Sequence, residues 1–417
     1  MGTPTGSSLP GATAEPAAPA ELPAPAAAGA ESGPARVALV GVHGFGVHHL
    51  RNLERLQGAG VVELVAVADP HPPASGSVPS SAAVFPGLDD LLAETQSLDV
   101  IIVATPIQTH APLALAALAA DADLYLEKPP VASLADFTRL GEAAAASGRS
   151  VQVGFQSLGS HALQAIEDLL AAGIIGSLQG ISATGRWVRD KAYYKRSRWA
   201  GRRSINGIDV VDGVATNPLA HAVATALRIA GARTTADVAS VETELYRAND
   251  IESDDTSIIR IRTAAGLPIT CALTICATES VEPYVTLQGT LGTAVFHYTE
   301  DRLTIETAAG RSEQAYGRDD LTENLLAHRT RGTPLMSALP DSGAFMLVLE
   351  AVRTAPAPTL IDAGYVRWEG EGDTAHAIVV NIEDALERAG RQHATFSELG
   401  LPWATSAPTA LTIPRSR

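Results

Sequence analysis

Residues 37–46 read Val-Ala-Leu-Val-Gly-Val-His-Gly-Phe-Gly, an apolar run that ends in a glycine-rich turn. A short aliphatic run of this kind predicts a buried strand, and the apolar residues spaced three apart after Gly46 predict a helix. Glycines between a strand and a helix let the backbone approach a diphosphate, whose charge the helix N-terminus stabilises. The stretch therefore indicates a dinucleotide-binding turn, with a plain tight turn as the alternative. The predicted cofactor-binding residues of this turn are Gly41, His43, Gly44, Phe45 and Gly46.

The turn departs from the usual G-x-G-x-x-G pattern at its middle glycine, where this sequence has His43. We expect the Cβ atom of His43 to crowd the diphosphate. Asp69 ends the next apolar run, at the place where an acid accepts hydrogen bonds from the adenosine ribose. The alternative for Asp69 is an Asx turn before Pro70. No Arg or Lys occurs in Pro70–Ser80, which favours NAD over NADP.

Short apolar runs and helical stretches alternate through the first third of the chain. The runs after the first are Leu64–Ala68, Val100–Ala104, Leu124–Leu126 and Val151–Phe155. This alternation predicts an α/β fold, with a doubly wound parallel sheet (a Rossmann domain) over residues 36–156. Further on, apolar runs between Ser240 and Thr307 are joined by short turns. They favour an α+β domain with a large open mixed or antiparallel sheet over 157–403.

The composition excludes several classes of function. The 417 residues include 46 acidic and 30 basic side chains, a net charge of −16, which argues against a nucleic-acid partner. No apolar stretch is long enough for a membrane span. The two cysteines, Cys271 and Cys276, lie an odd number of residues apart in a predicted strand, so we expect two buried free thiols and no disulfide. No zinc motif is present, and we expect no metal site.

The two ends of the chain have tail-like compositions. Residues 1–35 are rich in Pro, Ala and Gly and lack the basic and Leu-rich regions of a secretory signal, so we expect a disordered tail and a cytoplasmic protein. A Pro, Thr and Ser-rich segment predicts a second, flexible tail over 404–417.

Two further loops follow the predicted strands Val100–Ala104 and Leu124–Leu126. Because ligands of open α/β sheets bind at the carboxyl ends of the strands, we expect both loops to face the cofactor. Lys128 stands between a strand end and a proline, which would hold it near the crevice, although most lysines are solvated surface charges. The predicted cofactor-binding residues of these loops are Thr105, Pro106, Ile107, Gln108, His110, Glu127 and Lys128.

These motifs together resemble the Gfo/Idh/MocA family of NAD(P)-dependent oxidoreductases over about Arg36–Trp403. The resemblance rests on the glycine turn, the Ala-Asp-Pro strand end, Thr105-Pro106 with His110, and above all Glu127-Lys128-Pro129. It continues through Gly154-Phe155-Gln156, and it implies that Gln156 also lies at the cofactor. The family pairs a Rossmann domain with an α/β domain whose sheet often forms an oligomer interface, so we expect a homodimer or homotetramer.

The resemblance also implies the catalytic residues. Relatives place the lysine of Glu-Lys-Pro beside the nicotinamide and substrate, together with the Asp and His of a D-x-x-x-H segment. Here His221 matches the His, and Asn217 stands where Asp is usual, so Asn217 can orient a hydroxyl but cannot relay a proton. Asn217 before Pro218 also predicts the N-cap of a helix over Pro218–Ala230, with a neutral His221 in its first turn. A buried structural histidine is the alternative for His221.

An aromatic and basic segment between the two domains resembles a substrate-pocket stretch of the family. A solvated basic loop is the alternative. The predicted substrate-binding residues are Trp187, Tyr193, Tyr194 and Arg196.

The resulting hypothesis is hydride transfer between NAD(P) and a secondary alcohol of a sugar, inositol or related polyol. Lys128 is the expected base and His221 an orienting group or second base. The alternatives are a glycoside-cleaving enzyme that retains its NAD and a non-catalytic dinucleotide-binding protein.

Overall fold

The structure is a computed structural model that describes residues 33–71, 73–74 and 76–412. The predicted N-terminal tail therefore lies outside the described residues up to position 32, as do positions 413–417 of the predicted C-terminal tail.

Six of the described strands form the predicted parallel sheet. Strands β4, β5 and β6 are short runs buried along their whole length, as strands covered on both faces are, whereas the edge strand β3 is mostly exposed. Its order is β3-β2-β1-β4-β5-β6, and all neighbours are parallel. Val37 and Leu39 pack into one apolar cluster, whereas Ala38 and Val40 pack into another on the opposite face. The strands are β1 Ala35–Val40, β2 Val62–Ala68, β3 Ala83–Phe85, β4 Val100–Val103, β5 Asp123–Leu126 and β6 Val151–Val153.

Helices connect these strands. Their bounds are α1 Gly46–Gly58, α2 Leu88–Glu94, α3 His110–Ala119 and α4 Leu134–Ser147. Helix α1 buries Leu50, Leu53 and Leu56, the apolar residues at helical spacing after the glycine turn. The chain moves outward from β1 to β3 on one side and then crosses to β4 on the other. This reversal opens a crevice at the carboxyl ends of β1 and β4, where ligands of such sheets bind.

The second half contains a larger mixed sheet, as predicted. Its order is β16-β15-β14-β13-β7-β12-β11-β10-β17, with β20 also paired to β10; β7 is parallel to β12, and β10 to β17. The strands of this half are β7 Leu178–Arg186, β8 Ser204–Ile205, β9 Ile208–Asp209, β10 Val238–Arg247, β11 Thr256–Thr263, β12 Pro268–Thr274, β13 Tyr284–Gly289, β14 Gly292–His297, β15 Arg302–Thr307, β16 Gly310–Ala315, β17 Thr359–Leu360, β18 Val366–Glu369, β19 His376–Val379 and β20 Thr409–Thr412. Of these, β8 pairs with β9 and β18 with β19 in two separate small sheets.

The helices of this half are α5 Ala162–Ala171, α6 Lys191–Lys195, α7 Ala220–Ile229, α8 Leu321–Arg331, α9 Gly343–Thr354 and α10 Ile382–Gln392. Helices α7 and α9 cover one face of the centre of the large sheet, and α10 covers the other. Helix α8 packs instead into the cluster of the first sheet that contains Val37 and Leu39. Cys271 packs into the cluster that contains α7 and α9, whereas Cys276 packs into the cluster that contains α10. Both thiols are free and buried, which confirms the prediction for the two cysteines.

Several elements differ from the sequence-based expectations. The apolar periodicity does not reveal α9, because nearly all of its residues are buried and apolar residues therefore occur on every side. Strand β20 lies in the segment expected to be a flexible tail and pairs with β10 from Thr409 to Thr412. In the described part of the chain, no helix is both long and apolar enough to cross a bilayer.

Candidate active site

The glycine turn requires glycine at its two outer positions. Gly41 has φ +89°, and a Cβ atom there would lie 2.6 Å from the carbonyl oxygen of Ala104 at the end of β4. A Cβ atom on Gly46 would lie 2.0 Å from the carbonyl oxygen of Gly41. These contacts bring the start of α1 against the end of β1, so the outer glycines serve close packing of strand and helix.

The tip of the turn is open. His43, Gly44 and Phe45 are exposed, and a Cβ atom on Gly44 would meet nothing within 4 Å. No side chain caps the N-terminus of α1, and its first turn carries no acidic residue. Free amide groups and a positive helix end without a neighbouring carboxylate suit a diphosphate. The ring of His43 lies 3.3 Å from the carbonyl oxygen of His71.

Asp69 links the ends of β1 and β2. Its carboxylate accepts hydrogen bonds from the backbone N–H of Val42 at 3.0 Å and of His71 at 2.9 Å. The second bond is the Asx turn that the sequence offered as an alternative. An ionised carboxylate has about four acceptor positions, so Asp69 keeps capacity for a ribose hydroxyl.

The loop after β4 contains an acceptor without a partner. The Oε1 atom of Gln108 is buried and makes no hydrogen bond within the described residues. Such an atom costs free energy unless a donor reaches it. A nicotinamide dinucleotide carries hydroxyl and amide donors, so this orphaned oxygen fits a bound cofactor. Ile107 and Gln108 lie in a 3-10 turn that follows Pro106.

His110 joins this loop to the turn after β5. Its Nε2 atom lies 2.8 Å from the carbonyl oxygen of Thr105 and its Nδ1 atom 3.0 Å from that of Pro129. The side chain is buried, and burial lowers the pKa of His110. Each ring nitrogen faces a backbone carbonyl oxygen, and a neutral ring can donate to only one of them. His110 therefore lies between the two loops.

Glu127 is the centre of a buried polar cluster. Its carboxylate accepts hydrogen bonds from the side chain of Gln156 at 3.0 Å and the backbone N–H of Lys128 at 3.2 Å, and lies 2.9 Å from Nε2 of His49. A Cβ atom on Gly154 would lie 2.8 Å from the same carboxylate. The predicted residues Glu127 and Gln156 therefore meet, and His49 is a partner that the sequence reasoning missed.

The side chain of Lys128 reaches the second half of the chain. Its Nζ atom donates to the backbone oxygen and to the Oδ1 atom of Asn217, both at 2.9 Å. The prediction that Asn217 caps a helix beginning at Pro218 is wrong, because α7 begins at Ala220 after Leu219 and no side chain caps it. The Asn217 side chain is instead committed to Lys128 on one side and to Asp212 on the other.

Asp212 is a second residue that the sequence reasoning missed. Its carboxylate accepts from Nδ2 of Asn217 at 2.6 Å, from the backbone N–H of Gly201 at 2.7 Å and from Arg196 at 3.3 Å. The residue is only 7% exposed. The available signal was an isolated acid in the otherwise apolar segment Val210–Ala215.

His221 lies in the first turn of α7, as predicted. Its Nδ1 atom is 3.4 Å from the hydroxyl of Ser157, which accepts a hydrogen bond from Thr225 at 2.9 Å. Its ring stands edge-on to Phe155. Burial, reinforced by the positive charges of Lys128 and Arg318, lowers the pKa of His221 to about 3. The imidazole is therefore neutral at physiological pH.

The aromatic and basic segment forms a stack beside Asp212. The Arg196 guanidinium lies 3.6 Å from the ring centroid of Tyr193, and the Arg189 guanidinium lies 4.7 Å from that of Trp187 and 5.1 Å from that of Tyr193. Burial raises the pKa of Tyr193 to about 12. Arg196 and Tyr193 thus join the Lys128 site through Asp212.

Tyr194 turns towards a different neighbour. Its hydroxyl accepts a hydrogen bond from Asn249 at 3.4 Å, and its ring stands edge-on to that of Tyr193. Among the described residues, no group of three or more His, Cys, Asp or Glu side chains is placed to hold a metal ion.

Residues 35–155 match the model of an oxidoreductase family with an NAD-binding Rossmann fold, GFO_IDH_MocA. The inositol 2-dehydrogenase of Rubrobacter xylanophilus is 35% identical over 145 residues, which are 34% of this chain and 41% of that protein. The inositol 2-dehydrogenase of Leifsonia xyli is 25% identical over 186 residues, which are 44% of this chain and 55% of that protein. The matches thus span about half the length of these curated relatives.

A solved structure extends the likeness of fold to both halves. The WlbA dehydrogenase from Bordetella pertussis, in complex with NADH and UDP-GlcNAcA, superimposes with a TM-score of 0.63 at 21% identity, over 76% of this chain and 95% of that chain. The predicted fold class is confirmed. Residues 35–155 are thus similar to the NAD-binding Rossmann domain of the GFO_IDH_MocA family of oxidoreductases.

Proposed function

We propose that this protein is a dehydrogenase that transfers hydride between NAD and a secondary alcohol of a sugar, inositol or related polyol. The observation that carries the proposal is the Lys128 amine, held at the end of β5 by both oxygens of Asn217 in one site with a neutral His221. The names of the inositol 2-dehydrogenases among its relatives support a polyhydroxylated substrate.

The residues of the crevice suit a nicotinamide dinucleotide. When bound, the cofactor supplies the hydride acceptor or donor. The Gly41–Gly46 turn would hold the diphosphate, Asp69 the adenosine ribose, and Gln108 a hydroxyl or amide donor. NAD is favoured over NADP because a 2′-phosphate would meet the Asp69 carboxylate, with no Arg or Lys in Pro70–Ser80 to balance its charge.

Lys128 is the proposed general base. Burial lowers its pKa and Arg196 lowers it further, while Glu127 and Asp212 act in the opposite direction. A base is most effective when its pKa lies near the ambient pH, so a lowered pKa suits proton transfer. During oxidation the amine takes the proton of the substrate hydroxyl, and during reduction the ammonium returns it.

His221 is the proposed orienting group. A pKa of about 3 makes it a poor proton acceptor, which supports orientation and not the role of second base. Ser157 accepts from Thr225 and can donate its own proton to Nδ1 of His221, which leaves the ring proton on Nε2. The Nε2–H group would then donate to the reacting oxygen of the substrate.

Trp187, Tyr193, Tyr194 and Arg196 are the proposed substrate-binding residues. Aromatic faces and a guanidinium can stack on and hydrogen-bond a hydroxylated ring.

We still predict that the protein forms a homodimer or homotetramer and that it is located in the cytoplasm.

The test is a panel of inositols, sugars and polyols added to protein and NAD, with the absorbance of reduced nicotinamide as the signal. Net formation of NADH with one compound is the expected result. Glycoside cleavage without net NADH would identify the NAD-retaining alternative, and NAD binding without turnover would identify the non-catalytic one. If calorimetry gave no heat with either nicotinamide coenzyme and the purified protein carried none, the proposal would be overturned.

A further inference from the structure

We propose that Asp212 is a positioning residue: it holds the Asn217 amide with its oxygen towards Lys128 and places a negative charge behind that amide. The inference rests on the proposed function, which assigns proton transfer to Lys128. Its basis is the continuous chain of hydrogen bonds from Asp212 through Asn217 to Lys128, at 2.6 Å and 2.9 Å.

The orientation of the Asn217 amide follows from the chemistry of its two neighbours. An ionised carboxylate only accepts hydrogen bonds, and an ammonium only donates them. Asp212 therefore requires the NH₂ group of Asn217, and Lys128 requires its oxygen. Both neighbours favour the same orientation of the amide, so Asp212 prevents the NH₂ group of Asn217 from turning towards Lys128.

The local backbone shows that this placement is imposed by the surrounding structure. Val211, directly before Asp212, has φ +52°, which is unfavourable for a β-branched residue. The Thr216 hydroxyl donates to the Val211 carbonyl, and the Val211 N–H donates to the carbonyl of Arg203 at 3.1 Å. Strained conformations persist where neighbours over-determine them, commonly at functional sites.

Asp212 is also held from its other side. Its second oxygen accepts from the backbone N–H of Gly201 and from Arg196. The buried carboxylate is thus held in place by three donors, which compensate for its lost hydration.

The charge on Lys128 depends on four neighbouring groups. Glu127 and Asp212 favour the ammonium, Arg196 opposes it, and the neutral ring of His221 adds no charge. Of these groups, Asp212 is the one linked to Lys128 through the hydrogen bonds of the Asn217 amide. We therefore expect the Asp212 charge to affect the titration midpoint of the Lys128 amine even without a substrate.

The sequence offers a direct measurement, because the chain has only three lysines: Lys128, Lys191 and Lys195. The rate at which acetic anhydride acylates each lysine rises with pH as the amine loses its proton. Mass spectrometry of the full-length protein after digestion reads the three titration midpoints separately. The exposed Lys191 and Lys195 are internal controls.

In D212N, the new amide keeps an acceptor for Gly201 and Arg196 but offers an NH₂ group to Asn217. Asn217 must then turn its oxygen away from Lys128, which loses both an acceptor and a negative charge. We expect the Lys128 midpoint to fall by about one pH unit, the size of effect for a nearby opposite charge. The midpoints of Lys191 and Lys195 should not change.

The matched rescue is the exchange D212N/N217D. It conserves both side-chain volumes, satisfies every donor and moves the carboxylate next to Lys128, so the midpoint should return to the wild-type value or exceed it. An unchanged Lys128 midpoint in D212N, or an exchange variant that stays at the D212N value, would overturn the inference. Should D212N not fold, the exchange variant alone decides, since a midpoint below that of the wild type contradicts the proposal. Failure of the proposed dehydrogenase activity would leave these midpoints unaffected.

Discussion

The Nε2 atom of His49 lies 2.9 Å from the carboxylate of Glu127, and both side chains are buried. His49 belongs to α1, the helix that begins at the glycine turn, whereas Glu127 directly precedes Lys128. The contact therefore joins the element proposed to hold the diphosphate to the turn that carries the proposed base. Movement of one requires movement of the other, or the loss of a buried hydrogen bond.

We expect H49L to lower the free energy of unfolding by about 1–3 kcal/mol, because a buried carboxylate loses a hydrogen-bond partner. Urea denaturation followed by circular dichroism measures the loss. The control is H48L, since His48 is the exposed neighbour in the same helix, and its effect should stay within about 0.5 kcal/mol. Equal losses in the two variants would show that the Glu127 contact contributes nothing.

The glycine turn predicts a second outcome. In G46A the new methyl group would lie 2.0 Å from the Gly41 carbonyl oxygen, so the helix must move away from β1. We expect at least a tenfold loss of NAD affinity by calorimetry and a destabilisation of about 1–3 kcal/mol. In G58A, at the other end of α1, the methyl group meets nothing within 4 Å, and NAD affinity should be unchanged. An unaltered affinity in G46A would contradict the proposed diphosphate site.

Asp69 decides the expected preference between the two coenzymes. In the double variant D69A/H71R, the first substitution removes the negative charge that repels a 2′-phosphate, and the second adds a positive charge that attracts it. The ratio of NAD affinity to NADP affinity should therefore fall. Stability should fall as well, because Val42 loses the acceptor of its N–H group. D69N, which keeps an acceptor without the charge, is the control for that loss. An unchanged ratio in both variants would exclude contact between Asp69 and the ribose.

Lys128 should be required for turnover and dispensable for cofactor binding. We expect K128M to reduce kcat by roughly 10²–10⁴-fold, the usual contribution of a general base, and to retain NAD binding. K128R keeps the positive charge but cannot release a proton at neutral pH, so it should be similarly inactive. The assay uses the substrate found with the compound panel. Wild-type activity in K128R would refute the role of base.

The lowered pKa of His221 predicts a pH-dependent contribution to stability. The unfolded chain binds a proton at this residue below about pH 6.5, whereas the folded protein keeps it neutral down to about pH 3. The free energy of unfolding should therefore fall as the pH is lowered through this range. H221Q cannot titrate at this position. The free energy of unfolding of the wild type, relative to that of H221Q, should therefore fall with falling pH, by at most about 1.4 kcal/mol per pH unit. Denaturation curves at several pH values measure it, and a constant difference would contradict the buried neutral state.

Much of this architecture could be predicted from the sequence, because the signals are local. The strand Val37–Val40 and the turn to Gly46 need only an aliphatic run, glycines and the helical spacing that follows. Lys128 could be placed near the crevice because the carboxyl ends of parallel strands lie at one edge of the sheet. Such patterns depend on residues close together in the chain.

The interactions that give the site its chemistry depend on residues far apart in the chain. Asn217 has the sequence of a helix cap, yet its side chain bonds to Lys128 and Asp212, since tertiary hydrogen bonds override a local preference. The approach of His49 to Glu127 needs the packing of α1 on the sheet. The sequence alone therefore specifies which strand ends carry functional groups. The Asp212 carboxylate and the Asn217 amide are brought to Lys128 only in the tertiary structure, because a local sequence pattern contains no information on contacts between distant segments of the chain.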